Sequence, residues 1–214
     1  MSRTLGGGGR FVVLDGVDGC GKTTQARLLV EAWTREAGGD ADAVLHVREP
    51  GSTGVGDGVR GIVLFGRDDI DAATEALLFA AARRHLLRAQ IAPALAAGRD
   101  VVCERFHAST YAYQGVAGGL GGEAVLELLG RFADDPAPDL ELVLDLDPRA
   151  ARERRGGDSD RIEGKGLAFQ ERVAEGYRSY AAGRDRAVVV DASGDAEAVH
   201  ARVLAAVARL ATSR

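Results

Sequence analysis

The sequence predicts an α/β protein built on one five-stranded parallel sheet with helices on both faces. Two observations support this prediction: apolar, strand-like runs alternate with helical segments along the chain, and no linker long enough to separate two domains interrupts them. Because a strand, a helix and a second strand form a right-handed parallel crossover, the repeated alternation indicates a single sheet. The predicted strands are residues 11–15, 43–47, 100–104, 140–146 and 187–191.

The first strand leads into a glycine-rich loop. Residues 16–23, GVDGCGKT, fit the pattern GxxxxGKT at every fixed position, and apolar residues at helical spacing follow Thr24. A strand, a loop of this kind and a helix, in that order, are the context that a phosphate-binding P-loop requires. We therefore predict a P-loop NTPase fold whose nucleotide-binding residues are Gly16, Val17, Asp18, Gly19, Cys20, Gly21, Lys22, Thr23 and Thr24.

The residue types in this loop suit phosphate chemistry. Glycine lets backbone N–H groups turn inward toward phosphate oxygens without a clash at Cβ, and the following helix adds its positive N-terminal end. Lys22 supplies a positive charge for the β- and γ-phosphates, and the hydroxyl of Thr23 is a ligand for Mg²⁺. A glycine-rich turn that holds a lysine by chance is the alternative, and the complete fit in its proper context argues against it.

Composition narrows the class of protein. Charged residues make up 28% of the chain and the formal net charge is −5, so there is no overall basic field for nucleic acid. We find no run of about 18 apolar residues and no hydrophobic signal segment, and we expect a cytoplasmic protein without a membrane span. Cys20 and Cys103 form no disulfide framework and, with four histidines, no recognisable zinc pattern. Residues 1–10 are predicted to form a flexible leader before a single domain at 11–214.

One predicted helix carries an unusual pair of side chains. The helix runs from Asp71 to Ala97, with a bend at Pro93. Phe79 and Arg83 are four residues apart, so they share one face of it. Phe79 alone would suit core packing, but an arginine on the same face fits a dry core badly. The pair therefore favours a partly open pocket.

Three further segments place polar residues where a ligand could bind. Residues 48–53, REPGST, follow the second strand, and ligands of open α/β sheets bind at the carboxyl ends of strands; a turn with two solvated charges is the alternative. Glu104 and Arg105 end the third strand and could hold a metal and a phosphate, or form a surface salt bridge. The glycine-containing segment 156–161 follows several arginines. It is either a solvated loop or a mobile loop that neutralises charge during phosphoryl transfer.

These features together predict a magnesium-dependent P-loop phosphotransferase with a second pocket for a small acceptor. In these same features the chain resembles the thymidylate kinases, a family of nucleoside monophosphate kinases. The resemblance runs from about Phe11 to the final helix. It rests on blocks that match in order and spacing, at residues 16–23, 48–51, 77–83, 104–114 and 160–163.

The resemblance implies roles on the acceptor side. It implies that Phe79 stacks on thymine, that Arg83 hydrogen-bonds the base and that Arg105 holds the acceptor phosphate. It places Asp18 near the sugar and phosphate. The other implied substrate-binding residues are Arg48, Pro50, Thr110, Tyr113 and Gln114.

The resemblance also implies a short lid at about residues 149–160. Such kinases carry the catalytic arginine in the P-loop or in the lid, and the variable P-loop positions hold none here. The lid therefore has to supply it, from Arg152, Arg154, Arg155 or Arg161. The expected catalytic residues are Lys22, Arg105, Arg154 and Arg155, and the expected metal ligands are Thr23 and Glu104.

Two residues depart from the family pattern. Glu104 stands where aspartate is usual, so its longer side chain must retract, or act through water, to support Mg²⁺. Cys20 stands where alanine is commoner. Its thiol could be oxidised, but a small unreactive residue is the simpler interpretation.

The reaction implied by the resemblance is transfer of the γ-phosphoryl group of ATP to dTMP, with Mg²⁺, a step in dTTP biosynthesis. dUMP should be a poorer substrate, since a methyl group in an apolar pocket is worth roughly 1 to 3 kcal/mol. The alternatives are a kinase for another monophosphate or small metabolite, and a non-catalytic P-loop switch that recruits a partner. Phe79 and Arg83 argue against the switch, which needs no second small-molecule pocket. The family further suggests a homodimer packed through helices.

Overall fold

The structure is a computed structural model, and it describes residues 8–66, 69–155 and 166–212. Most of the predicted leader and the later part of the predicted lid therefore lie outside the described residues. The last leader residues are held against the domain, because the N–H of Arg10 donates to Asp100 Oδ1 at 2.7 Å and its guanidinium lies 4.0 Å from the centre of the Trp33 ring.

The sheet has five parallel strands in the order β2-β3-β1-β4-β5, which confirms the predicted α/β class. The central strand β1 is buried along its whole length. Its alternate residues belong to two apolar clusters, as the two-residue period of a strand requires. The strands are β1 Phe11–Gly16, β2 Val44–Arg48, β3 Asp100–Glu104, β4 Leu140–Asp145 and β5 Ala187–Asp191.

Helices cover both faces of the sheet. Val12 and Leu14 of β1 belong to the apolar cluster that includes Trp33. Phe11 and Val13 belong to a second apolar cluster, which includes buried residues of the helical segment that precedes β3. The helices are α1 Lys22–Glu36, α2 Gly54–Phe65, α3 Ala72–Leu86, α4 Ala92–Ala96, α5 His107–Thr110, α6 Gly122–Phe132, α7 Pro148–Arg155, α8 Leu167–Ala182 and α9 Ala196–Ala208. Among the described residues, no helix combines the length and the apolar character needed to cross a membrane.

The helix predicted at residues 71–97 is interrupted as expected near Pro93. A π-helical turn, Leu87–Ile91, separates α3 from α4, and Pro93 lies in the first turn of α4. Proline there lacks a donor that an uninterrupted helix would use. A second π-helical turn, Tyr111–Ala117, follows α5, so residues 107–117 are helical.

The carboxyl ends of β1, β2 and β3 bring the predicted motifs to one edge of the sheet. Arg48 lies opposite Glu104 in the β2–β3 register. The N–H of Glu49 donates to the carbonyl of Glu104 at 2.9 Å, and the N–H of Arg105 donates to the carbonyl of Leu14 at 2.9 Å. Residues that are distant in sequence therefore surround one site.

Candidate active site

A pocket of about 360 Å³ opens at this edge of the sheet. It joins the P-loop to the residues that follow β2 and β3 and to one face of α3. The predicted site residues that line it are Asp18, Gly19, Gly21, Lys22, Thr23, Thr24, Arg48, Pro50, Phe79, Arg83, Glu104, Arg105, Thr110, Tyr113 and Gln114.

Local backbone geometry explains the glycines of the P-loop. Gly19 approaches the carbonyl of Ala151 so closely that a Cβ would lie 2.1 Å from that oxygen. Gly21 has a φ of 100° and precedes Lys22, the first residue of α1, with open space where a Cβ would stand. Only glycine adopts these positions without strain, and the space beside Gly21 is left for a ligand.

The ammonium group of Lys22 lies inside the P-loop. Its Nζ donates to the carbonyls of Gly16 and Val17, both at 2.8 Å, and lies 3.7 Å from Asp18 Oδ1. Behind it, Cys20 is buried and burial raises the pKa of its thiol. A buried thiol is inert, which agrees with the interpretation of Cys20 as a quiet small residue.

The hydroxyl of Thr23 and the carboxylate of Glu104 meet beside the P-loop. The Thr23 hydroxyl donates to Glu104 Oε2 at 2.5 Å, and His46 Nε2 lies 3.0 Å from Glu104 Oε1. Burial raises the pKa of Glu104, but the hydrogen bonds from His46 and Thr23 outweigh burial and leave the pKa below its ordinary value. The carboxylate thus stays charged next to a hydroxyl.

This pair of oxygen ligands fits Mg²⁺. A hydroxyl and a carboxylate are hard ligands, and Mg²⁺ in phosphoryl-transfer sites is commonly held by one or two such groups together with phosphates and water. In the part of the chain that the structure describes, no group of three or more His, Cys, Asp or Glu side chains could hold a metal by itself. The Glu104 carboxylate reaches the Thr23 hydroxyl directly, and its role as a metal ligand remains a prediction.

Asp18 connects the donor and acceptor sides of the pocket. Its carboxylate accepts hydrogen bonds from Arg105 Nη2 and, at 2.8 Å, from the hydroxyl of Tyr113. Arg105 has a φ of 69°, uncommon for a residue with a Cβ. Burial alone would lower the pKa of Arg105, but Asp18, together with Tyr113, Tyr177 and Asp15, outweighs burial and holds that pKa well above its ordinary value. Arg105 therefore remains a permanent cation between the two sides.

Arg83 and Phe79 form the far end of the pocket. Phe79 is half-buried and Arg83 is only 2% exposed. Arg83 Nε donates to Glu49 Oε2 at 2.6 Å, and Nη2 donates to Thr110 Oγ1 at 3.2 Å and to the carbonyl of Phe106 at 3.0 Å. Among the described residues, Arg83 Nη1 and Glu49 Oε1 are buried without a hydrogen-bond partner. Both residues line the pocket, so among the described residues this end of it contains one unsatisfied donor and one unsatisfied acceptor.

Arg154 is a predicted catalytic residue that the structure does not bring to the pocket, and the predicted nucleotide-binding residues Gly16, Val17 and Cys20 do not line it either. Arg154 Nη1 and Nη2 donate to the carbonyls of Ala192 and Gly194, each at 2.9 Å, in the connection between β5 and α9. The side chain of Arg155 and the whole of Arg161 lie outside the described residues. The catalytic roles of Arg154 and Arg155 remain predictions.

Sequence reasoning missed several residues of the site. Glu49, Arg60 and Ser109 line the pocket, and buried Asp15 accepts hydrogen bonds from Ser109 Oγ and, at 3.1 Å, from the N–H of Phe106. Burial raises the pKa of Asp15, although the hydrogen bond from Ser109 and the charge of Arg105 act in the opposite direction. The sequence did contain a signal for Asp15, because an acidic residue stands there at the end of an otherwise apolar strand.

This arrangement defines a class of enzyme: a P-loop phosphotransferase with a small-molecule acceptor pocket beside its nucleotide site. The family model described as thymidylate kinase matches residues 14–203 of the chain. The chain belongs to the thymidylate kinase family. Enzymes of this family use ATP with Mg²⁺ as the phosphate donor, as the sequence predicted.

Individual relatives agree with this family. The chain is 44% identical over 210 residues to the thymidylate kinase of Gluconobacter oxydans (strain 621H), covering 95% of this chain and 96% of the relative. It is 41% identical over 202 residues to the thymidylate kinase of Caldanaerobacter subterraneus subsp. tengcongensis, covering 93% of this chain and 95% of that relative. The crystal structure of thymidylate kinase from Ehrlichia chaffeensis superposes with a TM-score of 0.78 at 29% identity, covering 94% of this chain and 99% of that one.

Proposed function

We propose that the chain transfers the γ-phosphoryl group of ATP to the 5′-phosphate of dTMP, giving ADP and dTDP. The observation that carries this proposal is the position of Asp18, whose carboxylate lies 3.7 Å from the P-loop ammonium of Lys22 and also accepts a hydrogen bond from Arg105. A donor site and an acceptor site are thereby adjacent within one pocket. We also propose that residues 11–214 act as a single kinase domain with a lid at about 149–160.

On the donor side, the P-loop holds the triphosphate of ATP. Its backbone N–H groups surround the phosphates, and Lys22 moves its ammonium from the loop carbonyls to the β- and γ-phosphate oxygens. Thr23 and Glu104 would hold Mg²⁺. Bound there, Mg²⁺ would help to neutralise the negative charge of the phosphates.

On the acceptor side, each end of dTMP has its own residues. Phe79 stacks on the thymine ring and Arg83 Nη1 donates to it, since this donor has no partner among the described protein atoms. Arg105 and Arg48 hold the 5′-phosphate. The remaining residues proposed to line the base and sugar are Asp18, Pro50, Thr110, Tyr113 and Gln114.

The chemical step is an in-line displacement. An oxygen of the dTMP phosphate forms a bond to the γ-phosphorus while the bond to the β–γ bridging oxygen breaks, and ADP leaves. Little covalent help is needed, so Lys22 and Arg105, with the proposed lid arginines, stabilise charge that spreads over the transferred group. Closure of the site excludes water, which would otherwise hydrolyse ATP.

An acceptor panel tests this function. Transfer from Mg-ATP would be followed with dTMP, dUMP, dCMP, AMP, GMP and no acceptor, with both ADP and the phosphorylated product measured. We expect fast turnover with dTMP and slower turnover with dUMP. Equal ADP formation without any acceptor would overturn the kinase proposal and favour a P-loop switch, and fast turnover with another monophosphate would change the substrate.

We further propose that the chain forms a homodimer through α2, α3 and α6. Both α2 and α6 contact α3. These three helices carry large apolar side chains exposed on the surface of the single chain: Ile62 and Phe65 on α2, Leu77 on α3 and Phe132 on α6. Phe65 is 71% exposed. Large apolar side chains exposed on helices that pack together are a feature of surfaces that bind another protein chain.

A further inference from the structure

Glu104 is held by a histidine from the neighbouring strand. His46 Nε2 lies 3.0 Å from Glu104 Oε1, while Glu104 Oε2 accepts the hydrogen bond from Thr23 at 2.5 Å. Both carboxylate oxygens are therefore engaged, one by a side chain of the P-loop helix and the other by β2.

The sheet register explains how His46 reaches this position. His46 lies opposite Val102 and Arg48 lies opposite Glu104 in the parallel β2–β3 pair. Residues two apart on a strand point to the same side of the sheet, so His46 and Glu104 share one face and meet diagonally. No local pattern in the sequence predicts this contact, because the two residues are 58 positions apart.

A glutamate at this position needs a second support. Its side chain has one more rotatable bond than aspartate, so the carboxylate can turn away from Thr23 unless another group fixes it. The Glu104 side chain is only 5% exposed, whereas that of His46 is 34% exposed. The imidazole of His46 therefore lies between solvent and the nearly buried carboxylate of Glu104.

We propose that His46 is a positioning residue that orients the carboxylate of Glu104 toward Thr23 and the Mg²⁺ that accompanies ATP. The inference rests on the metal role given to Glu104 and Thr23 in the proposed function. It depends on a hydrogen bond and not on titration, because a neutral imidazole with its proton on Nε2 donates in the same way. Hydrogen-bond partners of metal ligands typically affect metal affinity by 10- to 100-fold.

The test measures metal binding directly. Mn²⁺, which replaces Mg²⁺ and is visible by electron paramagnetic resonance, would be titrated into the full chain with a non-hydrolysable ATP analogue and no acceptor. His46→Ala should weaken Mn²⁺ binding by about 10-fold. The affinity for the same analogue in EDTA should change less than about 2-fold, since His46 acts on the metal and not on the nucleotide.

Matched variants separate this role from a general loss of structure. His46→Gln keeps a side-chain N–H donor and should restore part of the Mn²⁺ affinity, whereas His85→Ala, at an exposed position of α3, should leave it unchanged. Unchanged Mn²⁺ affinity in His46→Ala would overturn the proposal. An equal loss of analogue affinity with and without metal would overturn it as well.

A double-mutant cycle tests the route through Glu104. Aspartate is one carbon shorter and should not reach His46, so His46→Ala should have little further effect on Mn²⁺ binding in a Glu104→Asp chain. Additive losses would show that His46 acts by another route. These measurements contain no dTMP, so a failed acceptor panel with these metal effects intact would overturn the proposed substrate and leave the role of His46 standing.

Discussion

Arg83 Nε donates a 2.6 Å hydrogen bond to Glu49 Oε2, which joins α3 to the segment that follows β2 inside the buried end of the pocket. An isolated guanidinium would be costly in this environment, and the carboxylate offsets that cost. Burial raises the pKa of Glu49 to about 7, although the charge and hydrogen bond of Arg83 act to lower it. The pair holds Arg83 with its Nη1 donor still unpaired among the described atoms.

Removing the charge that Glu49 carries above its pKa of about 7 should weaken dTMP binding when affinity is measured at about pH 8. Glu49→Gln retains an acceptor for Arg83 but replaces a charge-assisted hydrogen bond with a neutral one, a difference of about 1 kcal/mol, or about 5-fold in KM for dTMP. Steady-state kinetics should show an unchanged KM for ATP. Exposed Glu36→Gln provides the control, and equal changes in both KM values would contradict a role limited to the base pocket.

Phe79→Ala should lower the affinity for dTMP far more than the affinity for ATP. Stacking of a base on an aromatic ring is worth about 1 to 3 kcal/mol, so we expect a loss of about 5- to 150-fold, measured by calorimetry. Half-buried Leu78, packed against the apolar core on the same helix, offers the comparison Leu78→Ala. If dTMP affinity is unchanged and only thermal stability falls, Phe79 is a core residue.

Lys22→Ala should abolish most of the turnover without unfolding the chain. The Nζ atom donates to two P-loop carbonyls, and we expect kcat to fall by about 10²- to 10³-fold, as when one charge-stabilising group is removed. Circular dichroism and the thermal midpoint should stay close to those of the parent chain. Arg27→Ala removes an exposed cation from the same helix and should be near neutral. Full activity in Lys22→Ala would refute the P-loop assignment.

Phe65→Asp should convert the proposed dimer into a monomer. The phenyl ring is 71% exposed on the single chain, and a carboxylate buried in an apolar interface would be strongly unfavourable. Sedimentation velocity would report the mass of the parent and the variant. Val189→Asp, at a similarly apolar exposed position on β5, should leave the mass unchanged. A parent chain that sediments as a monomer would rule out the dimer.

Glu141 should make the chain less stable as pH rises. Burial raises the pKa of Glu141 from 4.5 to about 7, despite hydrogen bonds from Tyr180 to both of its oxygens. Between these values the folded chain holds a proton that the unfolded chain has lost, so a contribution present below pH 4.5 disappears by about pH 7. His107 acts in the opposite sense, because burial lowers its pKa from 6.5 to about 3 and its contribution is lost as pH falls through that range.

The comparison of Glu141→Gln with the parent isolates the Glu141 contribution, since both chains keep His107. The glutamine oxygen still accepts from Tyr180 but does not titrate. The difference in thermal midpoint, variant minus parent, should therefore rise between pH 4.5 and 7 and then level off. Exposed Glu175→Gln on α8 should give a flat difference. A flat difference for Glu141→Gln would show that this carboxyl is not perturbed.

The amino-acid sequence by itself determined the parts of the site that are contiguous in the chain. The P-loop is one run of residues whose glycines and lysine act through the local backbone, so its spacing predicts both its shape and its ligand. The alternation of strands and helices likewise predicted the parallel sheet, because the spacing of apolar residues along a strand or helix indicates which of its side chains are buried. Phe79 and Arg83 were paired correctly for the same reason, being one helical turn apart.

Tertiary structure alone decided which distant residues meet. The strand order places β3 between β1 and β2, and that order brings Thr23, Glu104 and His46 together. It also decided that Arg83 has a buried carboxylate partner and that Arg154 binds the carbonyls after β5 and not the pocket. Such contacts depend on the register and packing of separate elements. Local periodicity carries no information about them, because it fixes the face that a side chain occupies but not the neighbour it finds there.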